Sequence, residues 1–195
     1  SNCEVVDALI EQRSDNVKLR AEIVSVKISL ESERQRQRKG ALIICGLPQN
    51  KPVDAEQVYK NICKKLKIDP SSTSAPTPTY KISKVENKSV GEQRLEMSNL
   101  GIERSTLIMK KYREERKKKI ALTAADVMEG GDSKPLYINE SLTGYYQLLF
   151  KMARDMRRNG QLKFVWTSGG VLFVRKEEKG KIFQVKHQND LERFK

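Results

Sequence analysis

Histidine is almost missing: His187 stands alone in a chain of 195 residues, so neither a His-based catalytic triad nor a multi-histidine metal centre can be assembled. Cys3, Cys45 and Cys63 are too few and too scattered for a disulfide framework or paired zinc ligands, which fits a reducing compartment. No apolar run approaches the roughly 18 residues of a membrane span. The basic helical stretches also lack the Trp/Phe-rich opposing face of an interfacial helix. There is no Gly-Lys-Ser/Thr phosphate loop, and no nucleophile has a plausible base. Asp126, Glu129 and Asp132 gather around Gly130-Gly131, a flexible interdomain loop without the preorganisation a metal site needs. The chain is therefore not expected to be an enzyme or to use a cofactor, a metal, a membrane or a small-molecule substrate. It opens on Ser1 without Met, as a fragment would, and no targeting segment is visible. The sequons Asn87-Lys88-Ser89 and Asn139-Glu140-Ser141 read as chance occurrences.

What is abundant is positive charge. Lys and Arg total 38 against 25 Asp and Glu, a formal net charge of +13, so the surface field attracts polyanions. Single-stranded RNA or DNA is the first partner to expect. With 37% hydrophobic residues, two small domains suit the chain better than one large core. The expected fold class is α+β: a coiled-coil helix over 1–40, an RRM-like β-α-β-β-α-β domain over 41–127, and a small C-terminal domain with an antiparallel sheet over 128–195.

The first segment has a heptad seam. Leu9, Asn16, Ile23 and Leu30 take the a positions, and Val5, Gln12, Leu19 and Val26 the d positions, with charges off the seam and no Gly or Pro before Gly40. Self-association as a dimer or trimer is expected, with Asn16 fixing register. The alternative is an amphipathic helix folded back on the next domain. Arg34 to Lys39 form a basic collar at its end, either solvated or in contact with phosphate.

In the second segment, Ala41–Cys45 reads as a buried strand and Pro52/Asp54 open a helix with Cys63 in its core stripe. Residues 70–79, PSSTSAPTPT, read as a flexible loop. Tyr80–Val85 and Arg94–Met97 alternate as strands on either side of a turn near Gly91. Leu100–Lys119 reads as a helix with Ile102, Leu107, Met109 and Tyr112 supplying contact, and Ile120–Leu122 is expected to close the sheet. Lys110, Lys111, Arg113, Lys117 and Lys118 crowd that helix, either as a solvated face or as a phosphate-binding surface that could also serve nuclear import. A distribution over nucleus and cytoplasm is expected. The stacking aromatics of the usual RNP motifs are missing from both central strands, so charge, including Arg94, would carry any RNA contact.

In the third segment, Leu136–Ile138 reads as a short strand, and Ser141–Gly144 introduces a helix ending at Asn159-Gly160. Tyr145, Leu148, Leu149, Met152, Ala153 and Met156 form its apolar stripe, and Arg154, Arg157 and Arg158 a basic ridge. Lys163–Thr167 and Val171–Lys176 flank Ser168-Gly169-Gly170 as a hairpin, Ile182–Lys186 adds a strand, and Asn189-Asp190 caps a last helical turn. Trp166 with Phe164 and Arg175 could form a stacking platform flanked by Lys163 and Lys176; the bland alternative puts both aromatics in the core.

Residues Leu136 to Leu191, with LYINESLT, a helix rich in Phe, Ala and Arg, KFVWTSGGVLFVRK and a late NDL, resemble the C-terminal domain of the baculovirus few-polyhedra (FP) protein family. They also resemble first-ORF proteins of insect LINE-type retrotransposons, whose parts come in the same order. The resemblance implies single-stranded nucleic-acid binding by a trimeric chaperone-like component or, for viral members, a role in virion and occlusion-body formation; it leaves viral or transposon origin open. The matched positions are Trp166, Arg175 and Lys176 in the hairpin and Arg154 with Arg157 in the helix. The competing reading is a structural adaptor in viral assembly, with charge serving solubility and nuclear entry.

Overall fold

A computed structural model describes residues 2–70, 76–85 and 91–195. Half of the expected 70–79 loop (71–75) and the sequon at Asn87 fall outside them. The chain divides into two compact units. One comprises Arg38–Leu142 with Thr167–Val171; the other comprises Ser1–Gln37, Thr143–Trp166 and Leu172–Lys195.

The first unit is built on four strands: β1 (Leu42–Pro48), β2 (Thr79–Lys84), β3 (Glu92–Ser98) and β4 (Tyr137–Glu140), in the order β2-β3-β1-β4 and antiparallel throughout. With helices α2 (Ala55–Lys65) and α3 (Ile102–Lys117) between strands, this is the split β-α-β-β-α-β arrangement. The alternation of β1 and β3 sends Leu42, Ile44, Leu95 and Met97 into a core shared with Val58, Ile62 and Cys63 of α2 and with Ile108 and Tyr112 of α3. Asp54 starts α2 by accepting the Gln57 N–H at 3.1 Å. Burial pushes the Cys63 thiol up, as befits a core residue.

Three expectations are corrected here. Ile120–Leu122 is not a strand: it follows Lys119, whose φ is +62°, and leads into α4 (Ala124–Val127). The closing strand is β4, expected in the C-terminal module, which pairs Ile138 with Ile44 on β1. The sheet thus reaches beyond the boundary placed at 127. The stretch around Asp126 is not a loose connector either. Ala124, Val127 and Met128 are buried in the core, and the Asp126 carboxylate accepts the Thr123 N–H and hydroxyl, both at 2.8 Å, and the Lys65 ammonium at 2.7 Å. Finally, α3 packs through Arg104, Ser105, Ile108, Met109 and Tyr112, while Ile102 and Leu107 face solvent.

The second unit holds α1 (Asn2–Gln37), α5 (Gly144–Arg158), a short α6 (Asn189–Glu192) and most of the three-stranded sheet β5 (Phe164–Ser168), β6 (Val171–Arg175) and β7 (Ile182–Val185). Thr143 caps α5, accepting the Tyr146 N–H at 3.3 Å. The buried side of α5 is Tyr146, Leu149, Ala153 and Met156, so Tyr146 replaces the expected Tyr145, and Leu148 is exposed. These residues share the buried set with Leu172, Val174, Val185 and Leu191.

Helix α1 carries two apolar stripes. Val24, Ile28 and Gln35 lie on the one that is covered in its C-terminal half, where Gln35 accepts the Thr143 N–H at 2.9 Å and Ser32 hydrogen-bonds Tyr146. The heptad seam is the other stripe. Val5, Leu9, Leu19, Ile23, Val26 and Leu30 are 48–66% exposed, and Asn16 turns its amide to the Gln12 carbonyl at 2.9 Å. The fold-back alternative and the seam therefore use different sides of one helix. In the collar, Arg34 and Arg36 pair with Glu31 and Glu33, and Arg38 with Glu96.

Candidate nucleic-acid interface

Two glycines make the β5–β6 hairpin. Gly169 and Gly170 have φ of +61° and +77°, the two positive values of a type I′ turn, whose twist matches that of the flanking strands. Alternation then sorts β6: Leu172 and Val174 point into the core, and Val171, Phe173 and Arg175 to the other side. Contacts place their β5 neighbours on that same side. Trp166 stacks on Phe173 with ring centroids 5.7 Å apart and planes at 24°, and the Arg175 guanidinium lies over Phe164 at 4.3 Å. All four side chains are half-buried, so the aromatics belong to a surface and not to the core that was the bland alternative. Phe173 escaped the sequence reading, although strict alternation from Leu172 puts it beside Arg175.

The Arg175 Nε–H is buried, and among the described residues it has no hydrogen-bond partner and the guanidinium no carboxylate partner. A planar fork resting on an aromatic ring with donors unused is suited to a phosphate oxygen or a base edge. Beside it, Lys176 is exposed and unpaired among the described residues. Lys163 lies over Phe164 at 5.7 Å but is engaged by Glu178 at 2.8 Å.

On α5, Arg154 rests over the Phe150 ring at 5.7 Å, and neither Arg154 nor Arg157 has a carboxylate partner among the described residues. Arg158 is held by Asp155, one turn back. The ridge and the strand face occupy different elements.

The first unit contributes another basic surface. Lys110, Arg113 and Lys117, spaced along one side of α3, line a groove of about 320 Å³ with Glu140 and the Ser168–Gly169 turn. The turn is fastened there: Gly169 N–H donates to Glu140 at 2.7 Å, and Arg113 reaches the Thr167 carbonyl at 3.4 Å. Lys111 and Lys118 are drawn instead toward Glu114 and Glu115. Such exposed pairs are weak and open readily to a polyanion. Arg94 stands on the outer face of β3, exposed and without a carboxylate partner among the described residues. No group of His, Cys, Asp and Glu among the described residues is placed to hold a metal, and no described helix is long and apolar enough to cross a membrane.

Comparison with known proteins gives a family match that takes in α5 and the β5–β6 face. The family Baculovirus FP protein domain 2 matches residues 143–195, which begin at the α5 cap and take in the hairpin, β7 and α6. No curated protein and no solved structure matches the chain. The match supports the baculovirus side of the resemblance, whereas nothing found supports the retrotransposon side. Strand β4, which carries the LYINE part of that resemblance, lies outside it. Residues 143–195, bearing Trp166, Arg175 and the Arg154/Arg157 ridge, are thus similar to the Baculovirus FP protein domain 2 family, and the match spans only this C-terminal part of the chain.

Proposed function

We propose that this protein binds single-stranded RNA or DNA without catalysis, through basic and aromatic surfaces with little sequence readout, and that it self-associates through the α1 seam. The observation that carries the reading is Arg175: a guanidinium stacked on Phe164 beside the Trp166/Phe173 pair, with its Nε–H unsatisfied among the described residues. Stacking on aromatics is indifferent to base identity, and charge is indifferent to sequence, so the pair of features favours general strand binding. The exposed seam supports assembly, because burying Leu9, Leu19, Ile23, Val26 and Leu30 against a second copy removes apolar surface from water. Copies joined this way add weak contacts by avidity.

The test is the double variant Arg154→Ala, Arg157→Ala. Its affinity for a labelled single strand is expected to fall about tenfold or more, since charge-assisted contacts are worth about 1.5–3 kcal/mol each. Its thermal midpoint is expected to stay unchanged, because both side chains are exposed. Unchanged affinity would favour the structural-adaptor reading, in which the charge serves other ends.

A further inference from the structure

Among the described residues, the outer face of the four-stranded sheet carries one aromatic ring, that of Tyr137. Register places Tyr137 of β4 across from Cys45 of β1, and Cys45 across from Arg94 of β3. Tyr137 is 43% exposed, yet its ring is not loose: the Arg116 guanidinium lies over it at 5.3 Å and donates to the Tyr112 hydroxyl at 3.4 Å. That arrangement fixes one face of the ring from behind.

Beside Tyr137 opens a groove of about 860 Å³, running from Cys45 past the β1 bulge to Gln49, Lys84, Asp132 and Lys134. The bulge is built on Gly46, whose φ is +98° and where an added Cβ would meet the Pro135 carbonyl at 3.0 Å. The groove therefore owes its shape to backbone.

We infer that this groove takes one unpaired nucleotide of a bound single strand, its base stacked on Tyr137 and its phosphates held by Arg94, Lys84 or Lys134. The inference rests on the nucleic-acid reading above and adds to it a base-contacting site in the other unit. Volume admits a nucleotide, and a propped flat ring suits a base better than an extended peptide. Arg94 lies two strand spacings from Tyr137, about 10 Å, which a long side chain and a sugar-phosphate unit can span together. The Asp132 carboxylate accepts the Lys134 N–H at 3.1 Å and faces the Lys134 ammonium at 3.7 Å; this exposed pair is weak and opens to a phosphate, and the remaining lone pairs can accept the exocyclic amine of guanine, cytosine or adenine.

The test uses the full chain with Tyr137→Ala and Tyr137→Phe, titrated with a labelled single strand and with an abasic strand of equal length. Net charge is the same in all three proteins. Tyr137→Ala is expected to weaken binding of the base-bearing strand about tenfold, within the five- to hundredfold expected for one stacked base. Tyr137→Phe should bind like the parent, and none of the three should differ on the abasic strand. Ultraviolet crosslinking of the parent chain should label the peptide containing Tyr137. Equal affinity of parent and Tyr137→Ala, an equal loss on both strands, or no crosslink at Tyr137 would overturn the proposal while leaving general strand binding intact. Failure of the parent chain to bind either strand would sink both.

Discussion

Arg175 shows how a single side chain can be assigned by what it lacks. Its Nε–H is buried and has no hydrogen-bond partner among the described residues. A buried donor without a partner costs about 1–3 kcal/mol, a cost that a phosphate oxygen would remove. Arg175→Lys keeps the charge but loses the planar fork, so affinity for a single strand is expected to fall about three- to tenfold even in the lysine variant, as measured by fluorescence anisotropy. Equal affinity of the two proteins would mean that charge alone acts there. Asp126 makes the opposite case, a residue expected beside a loose loop that proves to be a structural anchor. Burial raises its carboxyl, but the Lys65 ammonium and the Thr123 N–H and hydroxyl outweigh burial and hold it below the usual carboxylate range. Because the folded-state value is the depressed one, the stabilisation is complete above the unfolded value of about 3.9 and is lost as pH falls through the folded value. Asp126→Asn is expected to cost about 1 kcal/mol at neutral pH, read by urea unfolding, and the gap from the parent chain should close below about pH 4.

Elements with strong local signals could be read from the sequence, and those fixed by tertiary pairing could not. The α1 heptads, the Asp54 start of α2, the Asn159-Gly160 stop of α5 and the Gly169-Gly170 turn all declare themselves in neighbouring residues. Strand β4 does not, because four residues alternate equally well in either unit and only the pairing of Ile138 with Ile44 decides. The same limit hid Tyr137, whose partners Cys45 and Arg116 are far away in sequence. For α3, the apolar pattern placed Met109 and Tyr112 on the buried side, where they are, but also Ile102 and Leu107, whose places there are taken by Arg104, Ser105 and Ile108. Helix α1 offers the clearest element-scale prediction. Ile23→Asp places a charge on the seam without touching Val24, Ile28 or Gln35 on the covered side. Sedimentation is expected to show loss of self-association with the fold retained. Asn16→Val should raise the thermal midpoint of the assembly while loosening its copy number, because a polar residue at an a position trades stability for register.

At the scale of the whole molecule, +13 of net charge explains attraction to polyanions but not where they bind. In the proposed reading three surfaces do: the α3 groove, the α5 ridge and the β5–β6 face, whose Lys110, Lys117, Arg154, Arg157, Arg175 and Lys176 have no carboxylate partner among the described residues. Cations free of internal partners are the ones that can release counterions from a strand. If only these six act per chain, the logarithm of the binding constant should fall against the logarithm of salt concentration with a slope of about −4 for a single strand. The most direct test of the central claim is therefore a salt titration of the intact chain on a labelled single strand. A steep line, made shallower by Arg154→Ala with Arg157→Ala and by Arg175→Ala, is the result predicted. A flat line, or no binding at about 50 mM salt, where phosphate contacts are strong, would contradict it.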